Sequence, residues 1–248
     1  MLSTTSDLSQ EQLQMLLEEA KKRGMVGATT GSLWPKEMSS LLPSCFMRFL
    51  AELQTWNEAD KETQHFPDAQ YLHNMARLWI RCYKDGTPLV VEKCRRMVAS
   101  WLFRALELWA YGMQRQDGLI VGLDLESAAK HCWRYQFMYE GLQKRHKEWK
   151  LQDLTIIRHR GERQVSEVFF PNGSRAAIMN QESTSFPGEG YGLVCCEELS
   201  RYRNASEIWS QALIVTQGAA GSKGGFVSSI SNANGENETW REIKNGLV

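Results

Sequence analysis

"PLVVEKCRRMVASWLFRALELWAYGMQRQDGLIVG", residues 88–122, decides the fold class. Its first run, 88–94, is short, apolar and β-branched, and follows the turn residues of "DGTP"; that reads as a strand. Residues 99–114 then repeat apolar side chains at helical spacing, on a face broad enough to be mostly buried. "GLIVG", 118–122, is a second apolar run of strand length. Strand, helix, strand is the crossover that parallel pairing requires.

The same alternation continues downstream. "ESAAKHCWRYQFMYEGLQKRHKEW" (126–149) reads as a long helix; "LTIIRHRG" (154–161) and "QVSEVFFPNGSRAAIMN" (164–180) read as antiparallel strands, with Asn172-Gly173 after Pro171 supplying a tight turn. "YGLVCCEEL" (191–199) is a buried strand ending in two acids, "NASEIWSQALIVTQ" (204–217) a helix capped by Asn204 or Ser206, and "GGFVSSIS" (224–231) a further strand. Strands separated by helices predict an α/β fold with a mainly parallel sheet flanked by helices. The first 86 residues read as mostly helical: a helix over 7–24 with Ser9 as N-cap, a Gly/Ser/Thr/Pro-rich linker over 25–43, a helix over 42–62, and another over 66–86.

Composition narrows the function classes. With 29 basic and 29 acidic residues the net charge is zero, which argues against coating nucleic acid by bulk electrostatics. The six cysteines have neither CxxC pairing nor zinc spacing, and adjacent Cys195 and Cys196 suit opposite faces of one strand. A reducing compartment is expected. The chain shows no signal-peptide pattern and no apolar run of membrane length, so a soluble cytosolic protein is expected.

In open parallel sheets the ligand lies beyond the carboxyl ends of the strands. Three ends are chemically loaded here: Lys93 to Ser100, Glu197-Glu198, and Ser231 to Gly235. A nucleoside triphosphate needs backbone amides at a helix start, a cation, a hydroxyl and an acid for Mg²⁺, and a second acid to polarise water. Each stretch alone has a plainer reading. "KCRR" fails the pattern G-x-x-x-x-G-K-[ST] and reads sooner as a charged strand end; "EE" reads as well as a solvated turn; "SNANG" is simply a turn. Their order along the chain is what favours a common site.

That ordered set resembles the ATPase domain of the large terminase subunit of tailed bacteriophages. "KCRRMVASW" is similar to a degenerate Walker A, "FPNGSRAAIMNQ" to a characteristic hairpin, "FPGEGYGLVCCEEL" to the run into Walker B, and "SNANG" to the coupling motif; the likeness covers roughly residues 65 to 245. It implies a P-loop NTPase of the ASCE type, with residues 1–64 a helical N-terminal region or lid and 65–248 the ATPase core. The nuclease domain usual in the family is absent from this chain, so no DNA cleavage is expected.

The resemblance further implies ATP and Mg²⁺ as cofactors. Nucleotide binding falls to Lys93, Cys94, Arg95, Arg96, Met97, Val98, Ala99, Ser100 and Trp101, with Phe66 and Gln70 as candidates at the adenine end. Ser100 and Glu197 would hold the metal, Glu198 would activate water, and Ser231, Asn232 and Gly235 would couple hydrolysis to motion. The implied partners are double-stranded DNA, the portal protein, the small terminase subunit and copies of the chain itself, commonly five in a ring at the procapsid portal vertex. A membrane is not among them.

Several residues depart from the pattern. Val98 stands for the usual glycine and Ala99 where some members carry the Walker lysine, which leaves Lys93 or Arg95 as the cation; Glu197 replaces the common aspartate. Pro187 stands where the family often has an arginine finger, a role left open to Arg201 or Arg203. Two other classes therefore stay in view: a P-loop enzyme of helicase or recombination type, and a nucleotide-independent scaffold. "IIRHRGERQ" (156–164) has cations that could touch DNA phosphates, but reads first as a charged hairpin edge.

Overall fold

The computed structural model describes residues 31–58, 60–94, 98–158, 164–182, 190–217, 225–232 and 237–245. In chain order the elements are α1 (Pro43–Ala51), β1 (Gln54–Asn57), β2 (Glu62–His65), α2 (Gln70–Asp85), β3 (Leu89–Lys93), α3 (Ala99–Met113), β4 (Asp117–Gly122), α4 (Leu125–Arg145), β5 (Thr155–Arg158), β6 (Gln164–Phe169), β7 (Arg175–Asn180), β8 (Leu193–Glu197), α5 (Ala205–Val215), β9 (Phe226–Asn232) and α6 (Glu238–Lys244).

Seven strands form one sheet in the order β3-β9-β8-β4-β7-β6-β5. The first five are parallel, and β6 and β5 continue it antiparallel. This is the α/β class expected from the alternation of strands and helices. β3 and β4 are consecutive in sequence, yet β9 and β8 lie between them, so the unit at 88–122 is a long crossover rather than a pair of neighbours.

Both faces of the sheet are covered, which is why β4 and β8 read as unbroken apolar runs. Ile120, Cys195 and Ile230 face a core shared with α1 to α4, while Leu119, Val121 and Cys196 face a second core under α5 and α6. The adjacent cysteines thus sit on opposite faces, as strand alternation requires. Helix α3 runs through the middle of the first core, and even its Arg104 and Glu107 are buried.

Two expectations for the N-terminal part need correction. Residues 31–43 do not form a bare linker: Trp34 and Met38 are buried, and the Trp34 indole N–H donates to the Trp109 carbonyl at 2.9 Å. The expected helix over 42–62 ends at Ala51, and β1 and β2 form a hairpin instead. Trp56 of that hairpin lies against Phe137 of α4, so tertiary packing overrides local helical pattern. Downstream, Asn204 occupies the N-cap position of α5 but makes no cap; its amide donates to the Gln181 carbonyl.

The β6–β7 hairpin follows the sequence reading. Gly173 adopts φ 84°, and Asn172 and Ser174 both donate to the Tyr111 carbonyl, tying the turn to the end of α3. The expected helix over 7–24 and the cationic turn at 159–163 lie outside the described residues. No helix among the described residues is long and apolar enough to cross a membrane.

Candidate nucleotide site

Strand order makes β3, β9 and β8 neighbours, so their carboxyl ends must meet. Lys93 and Asn232 are register partners at the ends of β3 and β9. Glu198 follows β8 directly, in a left-handed conformation with φ 62° that turns the chain away from the sheet. Its backbone N–H donates to the Ile230 carbonyl at 2.8 Å, which fixes the turn.

The three side chains form a closed set. Lys93 Nζ donates to Glu198 Oε1 at 3.2 Å and to Asn232 Oδ1 at 3.1 Å. Asn232 donates to the same carboxylate twice, from Nδ2 to Oε1 at 2.7 Å and from its backbone N–H to Oε2 at 3.1 Å. Glu198 is thereby a carboxylate with three donors, held from the ends of β9 and β3, which lie side by side on one flank of β8. Ser231 points elsewhere: it is buried, and its hydroxyl accepts from the Ser200 backbone N–H at 3.2 Å. The structure brings Asn232 to Glu198 and keeps Ser231 beneath the turn.

Beside this set lies the start of α3. Val98 is its N-cap, at φ 54° and without a side-chain cap, and the first helical bond runs from Leu102 to the Val98 carbonyl. Valine therefore adopts the left-handed backbone that glycine takes without strain, at a cost of about 1–2 kcal/mol. Among the described residues no N-cap side chain bonds the amides of this first turn, at the positive end of a helix dipole. Ala99 and Trp101 are buried and Ser100 is half-buried, while Cys94 is exposed between β3 and α3.

Glu197, the last residue of β8, is buried on the α3–α4 side. His131 Nδ1 lies 3.2 Å from its Oε2 and Arg134 Nη1 lies 3.7 Å from its Oε1. Burial pushes this carboxyl up, but His131, Arg134, Arg104 and a hydrogen bond from Ser100 outweigh it and bring it down to about 2. Burial also brings His131 down to about 3, so the imidazole is neutral at pH 7 and the two guanidiniums and Ser100 sustain the carboxylate. The Tyr202 hydroxyl steadies this strand end by donating to the Glu197 and Val121 carbonyls.

Glu197 and Ser100 suit a hard divalent cation. Glu197 Oε2 has no well-aligned donor although it is buried, and the Ser100 hydroxyl is within hydrogen-bond reach of the same carboxyl group. Among the described residues no set of three or more His, Cys, Asp or Glu side chains could enclose a metal. Such a cation would complete its shell with water and phosphate oxygens, the usual habit of Mg²⁺.

The remaining sequence candidates are spread out. Arg95, Arg96, Met97, Pro187 and Gly235 lie outside the described residues. Phe66 packs partly on the first core, and exposed Gln70 donates to Asn74 at 2.9 Å in the first turn of α2. Since α2 enters β3 through Gly86, that turn is at the far end of the helix from this connection. Arg201 and Arg203 are exposed just beyond Glu198. Sequence reasoning missed His131 and Arg134, whose signal was a cation and an imidazole three residues apart on one face of a long helix.

No protein-family model matches the sequence, and no curated relative matches it. Among solved structures, the crystal structure of the HK97 bacteriophage large terminase aligns with a TM-score of 0.55 and 12% identity, over 81% of this chain and 42% of that one. At this identity the likeness is one of fold.

Proposed function

We propose that this chain is an ATP-hydrolysing module that drives movement of double-stranded viral DNA, as the motor part of a packaging enzyme. The observation that carries the proposal is the meeting of Lys93, Asn232 and Glu198 beside the uncapped start of α3, with Glu197 and Ser100 next to it. The terminase-like fold supports it.

In this reading the amides at the start of α3 and Lys93 bind the polyphosphate. Ser100 and Glu197 hold Mg²⁺, which supplies charge neutralisation when bound. Glu198 accepts the proton of the attacking water. It first has to be released, because Lys93 and Asn232 occupy both of its oxygens. An incoming phosphate competes for Lys93, and Asn232 then carries the change into β9. Assembly as a ring with the portal protein, and work with a small subunit, belong to the same proposal.

Phosphate release from Mg²⁺-ATP, measured for wild type and Glu198→Gln with and without DNA, tests the assignment. The expected result is hydrolysis by wild type and a loss of at least about 100-fold in the variant. Equal rates in both proteins would remove Glu198 from its role. No binding or hydrolysis by wild type under any of these conditions would favour the scaffold reading.

A further inference from the structure

Arg134 stands at a junction that the mechanism above does not use. It rises from α4 one turn after His131, its side chain is 14% exposed, and it faces Glu197 Oε1 at 3.7 Å. Its guanidinium also lies over the Trp101 ring, 5.6 Å from the centroid. Trp101 belongs to the first turn of α3 and follows Ser100 directly. One cation thus touches the candidate metal carboxylate on one side and the candidate phosphate turn on the other.

We propose that Arg134 is a positioning residue that holds Glu197 in the metal-free protein and transfers to the nucleotide's phosphates when a divalent cation takes that carboxylate. The inference rests on the nucleotide reading given above. A guanidinium and a divalent cation compete for one carboxylate, since each lowers the field that attracts the other. Once Glu197 coordinates metal, the nearest new anion for Arg134 is a phosphate seated at the start of α3. The Arg134 side chain is largely enclosed, so a guanidinium left without a partner there would be costly, and an exchange of partners avoids that state.

The geometry also supplies an optical reporter. Trp101 meets Trp133 at 5.5 Å and Phe137 at 5.6 Å between ring centroids, so the cluster that carries the guanidinium contact extends to a partly exposed tryptophan. Departure of Arg134 from the Trp101 face changes the emission of that cluster.

The test uses the full chain as wild type, Arg134→Gln and Arg134→Lys. Mn²⁺ alone, followed by electron paramagnetic resonance, reads metal binding, and calorimetry with Mg²⁺-ATPγS reads nucleotide binding. Arg134→Gln is expected to bind Mn²⁺ about tenfold tighter and Mg²⁺-ATPγS about tenfold weaker, the scale of one partly screened charge pair. Arg134→Lys falls between. A merely structural role would move both affinities the same way, and that result, or no change in either, overturns the proposal. Should Arg134→Gln fail to fold, wild-type fluorescence decides: Mg²⁺-ATPγS is expected to change an emission component that Trp101→Phe lacks, and no change refutes the transfer. If wild type binds no nucleotide at all, the ATPase reading fails on that arm. The Mn²⁺ arm still judges the competition at Glu197.

Discussion

Replacing Arg104 with methionine is expected to cost far more than replacing Arg104, Glu107 and Tyr135 together. All three are fully buried between α3, α4 and β8. Arg104 Nη2 lies 2.7 Å from Glu107 Oε1 and 2.9 Å from Cys195 Sγ, and the Tyr135 hydroxyl donates to Glu107 Oε2. Burial pushes the Glu107 carboxyl up, and Arg104 opposes it. Burial pulls the guanidinium down, but Glu107 and its neighbours push it well above its ordinary value, and the two side chains meet as a salt bridge.

Removing Arg104 alone leaves a buried carboxylate with Tyr135 as its main donor, a loss of about 3–5 kcal/mol. The native pair is itself imperfect, because Arg104 Nε and Nη1 have no acceptor, and each such donor costs about 1–3 kcal/mol. Arg104→Met/Glu107→Leu/Tyr135→Phe removes both charges of the pair and the orphaned Arg104 donors together, and leaves Glu197 the charge of Arg134. It is expected to unfold at or above the wild-type urea midpoint, by up to about 4 kcal/mol. Urea titration followed by tryptophan fluorescence measures all the proteins. A triple variant no more stable than Arg104→Met would refute the account, as would a cost below about 1 kcal/mol for Arg104→Met itself.

Two other outcomes follow from local geometry. A Cβ on Gly112 would sit 2.1 Å from the Trp34 ring, so Gly112→Ala must expel that indole and should lose about 3 kcal/mol in urea unfolding, whereas adding it to Trp34→Ala should cost nothing more. Asp124 and Ser127 form the capping box of α4, and the Ser127 backbone N–H holds the Asp124 carboxyl below its ordinary 3.8. Asp124→Ala should therefore cost about 1 kcal/mol at pH 7. A lowered folded pKa gives stability that is present above the unfolded value and lost as pH falls through the folded one. The gap between wild type and Asp124→Ala in thermal unfolding should thus hold down to pH 3.8 and close below it.

How much of this was legible in the sequence differs between its parts. The strands β4 and β8 announce themselves because burial on both faces makes them unbroken apolar runs, and Pro171-Asn172-Gly173 fixes a hairpin through backbone needs alone. What failed was decided by contacts distant in sequence. Trp34 looks like part of a polar linker until Gly112 provides a flat seat for it, and Thr55-Trp56 continues a helical pattern until Phe137 offers a partner. In the site, the adjacency of Lys93 and Asn232 needs only the strand order. The approach of His131 and Arg134 to Glu197 needs the rotation of α4 about its axis, which periodicity alone did not define.

The central claim is that a nucleotide's phosphates lie at the start of α3 with a metal between Ser100 and Glu197. A structure determined with Mg²⁺, ADP and beryllium fluoride tests it most directly. The phosphate groups are expected against the amides of residues 99–101 and Lys93, the metal at Ser100 and Glu197, and Glu198 freed from Lys93 and facing the beryllium fluoride. A nucleotide bound elsewhere, or Glu198 still held by Lys93 and Asn232 with the ligand in place, would contradict it.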